Sequence, residues 1–551
     1  MYITGVGKLI VKYKRIVYNI FSVIISIANL VIFFVTLFYI ERELLKMGTL
    51  IKKIDFTKKK NIYICLGILA TIFLIPFLIP HFALDSYPLL SSGYHDYAII
   101  FIKSNRIISA LFYEIFNFIC LPYNTLSIVS TLVSGLLLVI SAITFGNMVI
   151  NNRAKIQEKN YIMIYIISFL CFFNFLNMEL FVFMESFVMC LGIFLIVKSI
   201  ENFTSYKKHK YWYSILYLIT SMYCYQGIIC LFIPLCLIII YLKYINNDNI
   251  NYKQMLKEML LLGVFYATVL LITYFSIFVI SYLFNIIETK TIGINIFKNI
   301  SITINLFKDT MHNLYGLFST KIFYLTIFIL FIVYIFVKLN INDDNKIIKI
   351  GYLIFTITVC IILPFIPNLV MSTKANYSAA RMSSSIGLII PIIMFFIIFD
   401  YNKINIKTVK YILQLVIMMF LIYTGYQYNN NLQLSISTYR QDREEMNLIY
   451  EEIVVYEKKQ NIKIKDIYFG KDPSVNYYYH SNKGNYNGFN LRLMAIDWAI
   501  PSAFNGFNKS NYKFILLDEK TIQDKFNNIN YDKFDEKQLI FFNDKVYLYL
   551  Y

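Results

Sequence analysis

"IYICLGILATIFLIPFLIP" (Ile62–Pro80) decides the fold. It carries no charge, and as a helix rising ~1.5 Å per residue it is about as long as a bilayer core of ~30 Å is thick. "FALDSYPLLSSGYHDY" (Phe82–Tyr97) follows at once. It places two acids, Asp85 and Asp96, where the chain leaves the membrane. Runs of this kind recur along the 551 residues, of which 58% are hydrophobic and only 15% charged. The reading is a polytopic α-helical membrane protein, with every backbone group satisfied inside its own helix.

Working outward from Ile62, apolar spans are expected at about 62–80, 123–146, 160–176, 183–199, 213–242, 259–284, 321–338, 350–371, 386–399 and 411–427. The run 213–242 is too long for one crossing. Lys-bearing segments flank it, "KSIENFTSYKKHKYW" before and "KYINNDNINYKQMLKE" after. Basic loops stay cytoplasmic, so the run is predicted to cross twice and turn near "YQGI" (Tyr225–Ile228). With that break there are about eleven or twelve transmembrane helices in all. "NNRAKIQEKN", "KLNINDDNKIIK" and "DYNKINIKTVK" then share the cytoplasmic side. Residues 81–122, 177–182, 285–320 and 372–385 fall outside, as does everything after Gln427.

The net charge of +18 follows from these loops and points away from nucleic acid, since no basic, aromatic-interleaved soluble face exists. The eight cysteines lie in or beside apolar runs without the CxxC or Cys/His spacing of a metal site. They read as small apolar helix residues. The N-terminal run Val17–Ile40 is too long for a signal peptide, and it either spans or lies along the cytoplasmic face. Residues 1–60 are accordingly set apart as an N-terminal apolar helix with a basic cytoplasmic segment. Residues 61–427 form the multi-spanning domain.

Residues 98–121 are apolar yet carry Lys103, Arg106 and Glu114, which suits a helix lying in the interface. After Gln427 the composition turns polar. "RQDREEMNLIYEEIVVYEKKQ" reads as an amphipathic helix with i,i+4 charge pairs. "KDIYFG", "YKFILLD" and "QLIFFNDKVYLYLY" read as strands, the last a hairpin turning at its "ND". Residues 428–551 are therefore expected to be a small extracytoplasmic α+β domain.

Charges at a membrane edge are costly and default to functional candidates. Asp85 stands just past a span end, where partial burial would raise its pKa toward that of a general base. Asp96 lies deeper in the loop and reads as a supporting or capping group. Glu179 and Glu185 share the short loop "NMELFVFMESF" (Asn177–Phe187), placed to bind a sugar hydroxyl or hold a cation. Lys374 and Arg381 sit at a membrane re-entry in "STKANYSAARMSSS" (Ser372–Ser385). Arginine's fork of donors suits a phosphate, and a lipid-headgroup anchor is the ordinary alternative. Acids and cations on one outer face are what transfer from a lipid phosphate to a hydroxyl requires. No Gly-rich phosphate loop, HExxH or GxSxG is present.

Four stretches together resemble the bacterial glucosyl transferase family typed by the phage-derived O-antigen glucosyl transferase II, of the polytopic GT-C class. They are "ALDSYPLLSSGYHDYAIIFIKSNRIISALF", "FFNFLNMELFVFMESFVMCLGIFLIV", "ITSMYCYQGIICLFIPL" and "NYSAARMSSSIGL". The likeness covers roughly residues 60–430. It implies a polyprenyl-phosphate sugar donor, commonly glucose, and a surface-glycan acceptor on the outer face of the cytoplasmic membrane. Asp85 falls at the catalytic base, and Arg106 and Arg381 at positive positions. Tyr225 and Gln226 fall at a "YQ" of structural or lipid-lining role. Asn105 stands where the family has glycine before the arginine, and asparagine tolerates unusual backbone angles. The chemistry implied is an inverting hexosyl transfer. No cofactor is certain, and a divalent cation remains compatible with the acids. Two other classes fit the composition: an envelope polysaccharide polymerase or ligase, and a lipid-linked sugar flippase. The flippase would place its charges near the bilayer midplane instead of at the edges.

Overall fold

The computed structural model describes residues 58–152, 158–205, 208–245, 251–283, 296–340, 345–370, 378–400, 407–471, 489–493, 496–526 and 534–550. The expectations for residues 1–57 lie outside these, as does Lys374. Among the described residues eight helices are long and apolar enough to cross a bilayer. They are Lys59–Leu78, Tyr123–Asn151, Ser186–Phe203, Gln226–Tyr244, Tyr252–Ile280, Thr320–Asn340, Lys346–Leu369 and Val409–Gln460. Each overlies an expected span, and the protein is a multi-pass helical membrane protein. The spans differ in placement: 78% of the Gln226–Tyr244 window is buried against 28% of Thr320–Asn340. The first is central to the bundle, and the second turns its Leu and Phe side chains to lipid.

The remaining expected spans are shorter helices. Numbering helices in chain order, these are α5 (Tyr161–Phe172), α7 (Lys210–Cys224) and α13 (Ile389–Phe399). They follow α1 (Lys59–Leu74), α2 (Tyr87–Lys103), α3 (Ile107–Phe118) and α4 (Tyr123–Asn151). Between them lie α6 (Ser186–Phe203), α8 (Phe232–Ile240), α9 (Tyr252–Leu283), α10 (Ile296–Asn313), α11 (Thr320–Asn340) and α12 (Lys346–Ile362). With 12 residues, α5 rises only about 18 Å. The missing length is irregular backbone. The chain coils after α5 through 173–185, breaks after α7 at Tyr225, and coils again before α13 through 380–388. These pieces are largely buried in protein, the condition under which non-helical backbone is tolerated at membrane depth.

The predicted turn of the 213–242 run is present. Helix α7 stops at Cys224, Tyr225 is extended (φ −163°, ψ 120°), and a 3-10 turn, Gln226–Leu231, leads into α8. The single interfacial helix expected over 98–121 is instead two, α2 and α3. Asn105 makes the corner with φ 57°. The Arg106 N–H reaches back to the Phe101 carbonyl at 2.8 Å, the closing bond of a left-handed helix end. Asparagine here makes a left-handed corner of the kind usually left to glycine.

Helix α14 (Lys407–Gln460) runs through residues 427 and 428 without a break and includes the predicted amphipathic segment. It ends where Asn461 turns left-handed, φ 53°. The predicted strands follow as β1 (Asp466–Lys471), β2 (Lys513–Leu516), β3 (Leu539–Phe542) and β4 (Lys545–Leu550), in the order β2-β1-β4-β3. β1 is parallel to both neighbours, and β3–β4 is the hairpin, with Asn543 at φ 51° in its turn. Helix α15 (Ile500–Asn508) connects this sheet to the membrane part by packing on α2. A Cβ at Gly506 would stand 2.5 Å from Leu90 Cβ and 3.1 Å from its carbonyl carbon, so only glycine permits this approach. Phe507 packs edge-on to Tyr87, ring centroids 5.2 Å apart. The first turn of α2, immediately after Asp85, is thus braced from the polar side of the molecule.

Candidate active site

The irregular segments exist because each is tied down by side chains at one end of the bundle. Residues 184–187 are held by α4, where Ser130 Oγ donates to the Met184 carbonyl at 2.7 Å and Ser134 Oγ donates to Ser186 Oγ at 2.9 Å. This fixes Glu185 as the residue before α6. The 173–179 coil is held by Asn174, whose Oδ1 accepts the N–H groups of Leu176 and Asn177. Gly387 lies against that asparagine, where a Cβ would come within 2.4 Å of Oδ1.

On this scaffold two arginines converge on Tyr225. The Arg381 Nε donates to the Tyr225 hydroxyl at 2.8 Å, and Arg381 Nη1 donates to Glu179 Oε1 at 2.8 Å. The Arg381 backbone N–H takes the other Glu179 oxygen at 2.7 Å. Its guanidinium also lies 4.3 Å from the Phe183 ring centre. The second arginine, Arg106, stacks its guanidinium 4.7 Å from the centre of the Tyr225 ring. Its acid is Glu185, at 3.7 Å from Nη1, a looser contact than a hydrogen bond. Both Glu179 and Glu185 are buried. Glu185 Oε2 and Arg106 Nε are buried with no hydrogen-bond partner among the described residues. Burial pushes the Glu185 carboxyl up from its usual 4.5 to about 7; the Asp85 carboxylate adds to this and Arg106 opposes it.

Gln226 has a structural part. Its Nε2 donates to the Asn105 carbonyl at 2.8 Å and to the Ser104 carbonyl at 3.3 Å, pinning the corner that presents Arg106. Tyr225 and Gln226 therefore address the two arginines through different bonds: one touches both guanidiniums, the other holds the backbone of one.

Asp85 sits in the 3-10 turn Leu84–Ser86, its carbonyl accepting from the Tyr97 hydroxyl at 2.8 Å. The partial burial expected for it is not found, and its side chain is exposed. Helix α2 begins directly after this turn, with Pro88 in its first turn. Glu185, one of the two buried acids of the cluster, is close enough to feel the Asp85 charge. Asp96 is not brought into the cluster. It is exposed and lies three residues past Gly93, whose non-helical backbone (φ 84°, ψ 179°) breaks α2 into two pieces, so it stands in the first turn of the second piece. Beside it His95 Nδ1 meets Glu114 Oε1 at 2.7 Å on the exposed side.

Tyr315 escaped the sequence reading. Its hydroxyl lies 2.7 Å from Ser383 Oγ, two residues past Arg381, and it feels the Glu179 charge. The only signal in "HNLYGLF" is the glycine after it. Among the described residues no three of His, Cys, Asp and Glu gather as metal ligands would; the buried acids here have arginine partners.

Fold and site together define a multi-pass membrane protein with paired, buried charges at one end of its bundle, beside an exposed aspartate. A family model described as Glucosyl transferase GtrII matches residues 81–392, and the chain belongs to this family of glucosyltransferases. Every described residue of the cluster falls within the match, and the sheet lies beyond it. No curated protein and no solved structure matches the chain.

Proposed function

We propose that this glucosyltransferase moves glucose from a polyprenyl-phosphate carrier to a surface glycan, at the outer face of the cytoplasmic membrane. The observation that carries the reading is the meeting of Arg106 and Arg381 on Tyr225 beside Asp85. The Lys-rich loops belong to the other face, which leaves this end of the bundle and the C-terminal sheet extracytoplasmic. Asp85, exposed at the rim, takes the proton of the acceptor hydroxyl. The hydroxyl oxygen forms a bond to the anomeric carbon as the bond from that carbon to the phosphate oxygen breaks. A single displacement of this kind inverts the anomeric centre. The leaving phosphate gains charge, and Arg106 and Arg381 are placed to stabilise it through donors fixed before the reaction begins. Lys374, in the same re-entry, is assigned to the phosphate as well. Glu179 holds Arg381 with both of its oxygens, and Glu185, less tightly engaged by Arg106, offers an oxygen to a sugar hydroxyl.

The test is glycan analysis of a deletion strain carrying either the wild-type gene or Asp85→Asn. The variant is expected to accumulate normally and to lose side-chain glucose by about a hundredfold or more, the usual worth of a general base. Normal decoration at normal protein level would remove Asp85 from the mechanism. A changed glycan chain length with intact side sugars would instead mark a polymerase.

A further inference from the structure

We infer that Tyr315 is a positioning residue of the transferase, its hydroxyl setting the Ser378–Ser383 segment so that Arg381 is presented in one orientation. This rests on the reading of Arg381 as a phosphate-facing group.

Between α10 and α11 the chain takes three left-handed residues in succession: Leu314 at φ 47°, Tyr315 at 58° and Gly316 at 71°. For Leu and Tyr this conformation crowds Cβ against the following carbonyl; only glycine escapes the penalty. Such backbone persists where its surroundings over-determine it, and it concentrates at functional sites. The surroundings here do so. Leu314 is fully buried. The Tyr315 N–H donates to Asn313 Oδ1 at 2.9 Å. The Leu317 carbonyl accepts from Asn431 of α14 at 3.2 Å.

The strained turn delivers one polar group. The Tyr315 hydroxyl meets Ser378 Oγ, lies 2.7 Å from Ser383 Oγ and accepts from Thr310 Oγ1 at 3.1 Å. Ser383 closes the 3-10 turn Ala380–Met382, its N–H bonding the Ala380 carbonyl at 2.9 Å. The middle residue of that turn is Arg381, whose carbonyl accepts from Ser384 Oγ at 2.9 Å. Tyr315 thus grips both ends of the short piece that carries the arginine. Burial holds its phenol above the usual tyrosine range, so it remains a donor.

The experiment uses the full-length protein in detergent and a fluorescent short-chain prenyl-phosphate glucose as probe. Tyr315→Phe keeps the ring and removes the hydroxyl. The Kd for the probe is expected to rise about tenfold, the worth of one or two hydrogen bonds, with Tm within a few degrees of wild type. Ser383→Ala cuts one of the two links without touching the left-handed turn and is expected to raise the Kd in the same direction, by no more than Tyr315→Phe does. In an Arg381→Ala background Tyr315→Phe is expected to add nothing, as for two groups acting as one. Wild-type probe binding by Tyr315→Phe, with Arg381→Ala impaired, overturns the inference and leaves the donor reading standing. Losses that multiply in the double variant also overturn it. An Arg381→Ala protein that binds the probe at full strength overturns the donor reading and this inference with it.

Discussion

The two arginine–glutamate pairs flanking Tyr225 are built differently. Glu179 spends both oxygens on Arg381, one on Nη1 and one on the backbone N–H, each within 2.8 Å. Glu185 stands 3.7 Å from Arg106, and among the described residues its Oε2 has no hydrogen-bond partner, nor has Arg106 Nε. The first pair crosslinks two re-entrant segments, 173–185 and 380–388. The second joins the start of α6 to the corner between α2 and α3 and stays open. A closed pair supplies rigidity, and an open one supplies donors to whatever enters.

The largest expected effect tests that division. Glu179→Ala removes the carboxylate from a mostly buried guanidinium and is expected to cost about 3–5 kcal/mol, seen as a collapse of folded, detergent-soluble protein. Glu185→Ala, which breaks a contact longer than a hydrogen bond, is expected to cost far less in the same melt; equal losses would erase the distinction. Arg106→Ala should do the reverse of Glu179→Ala. Folded protein is expected to persist while glucose transfer falls by about a hundredfold or more, as when one charge-stabilising donor is removed.

Titration sharpens the contrast further. The Glu185 carboxyl has its folded pKa raised from 4.5 to about 7, chiefly by burial, so the folded state holds this proton more tightly than the unfolded chain. Its contribution to stability is full below pH 4.5 and is lost as pH rises through about 7. Glu185→Gln, a permanent mimic of the protonated acid, is expected to flatten that part of the Tm-against-pH curve between pH ~5 and ~8. A wild-type curve that parallels the variant's across this range would count against a buried, proton-holding Glu185. The smallest effect concerns the corner below Arg106. Asn105→Gly and Asn105→Ala both lose the partly buried contact of Asn105 Nδ2 with Ser276 Oγ at 3.2 Å, and the alanine, forced left-handed, should cost about 1–2 kcal/mol more than the glycine in the same melt.

Much of this was legible in the chain. The clean run at Ile62–Pro80 and its repeats follow from the bilayer's thickness alone, and Lys-bearing flanks were enough to call for a break within 213–242. "QLIFFNDKVYLYLY" declared its hairpin through an asparagine able to turn left-handed. The corner at Asn105 was half legible: the exchange for glycine was visible, its splitting of an expected interfacial helix was not. Asp85 and Glu185 show where local reading fails. Both stand next to a span, and hydropathy cannot say which carboxyl goes under. That depends on α4 serines pulling residues 184–187 inward, contacts separated by more than 50 residues.

The sequence by itself determined a multi-pass helical protein, its family and a set of charges at span edges, because apolar length, basic loops and short motifs are local properties. Only the tertiary structure decided how those charges are shared. It paired Glu179 with Arg381 across 202 residues, set Tyr225 between two arginines, exposed Asp96, and drew in Tyr315 through a strained turn. Three helices stop short of the membrane's thickness so that irregular, buried backbone can hold these groups. That exchange is stable only when distant segments satisfy the freed N–H and C=O groups.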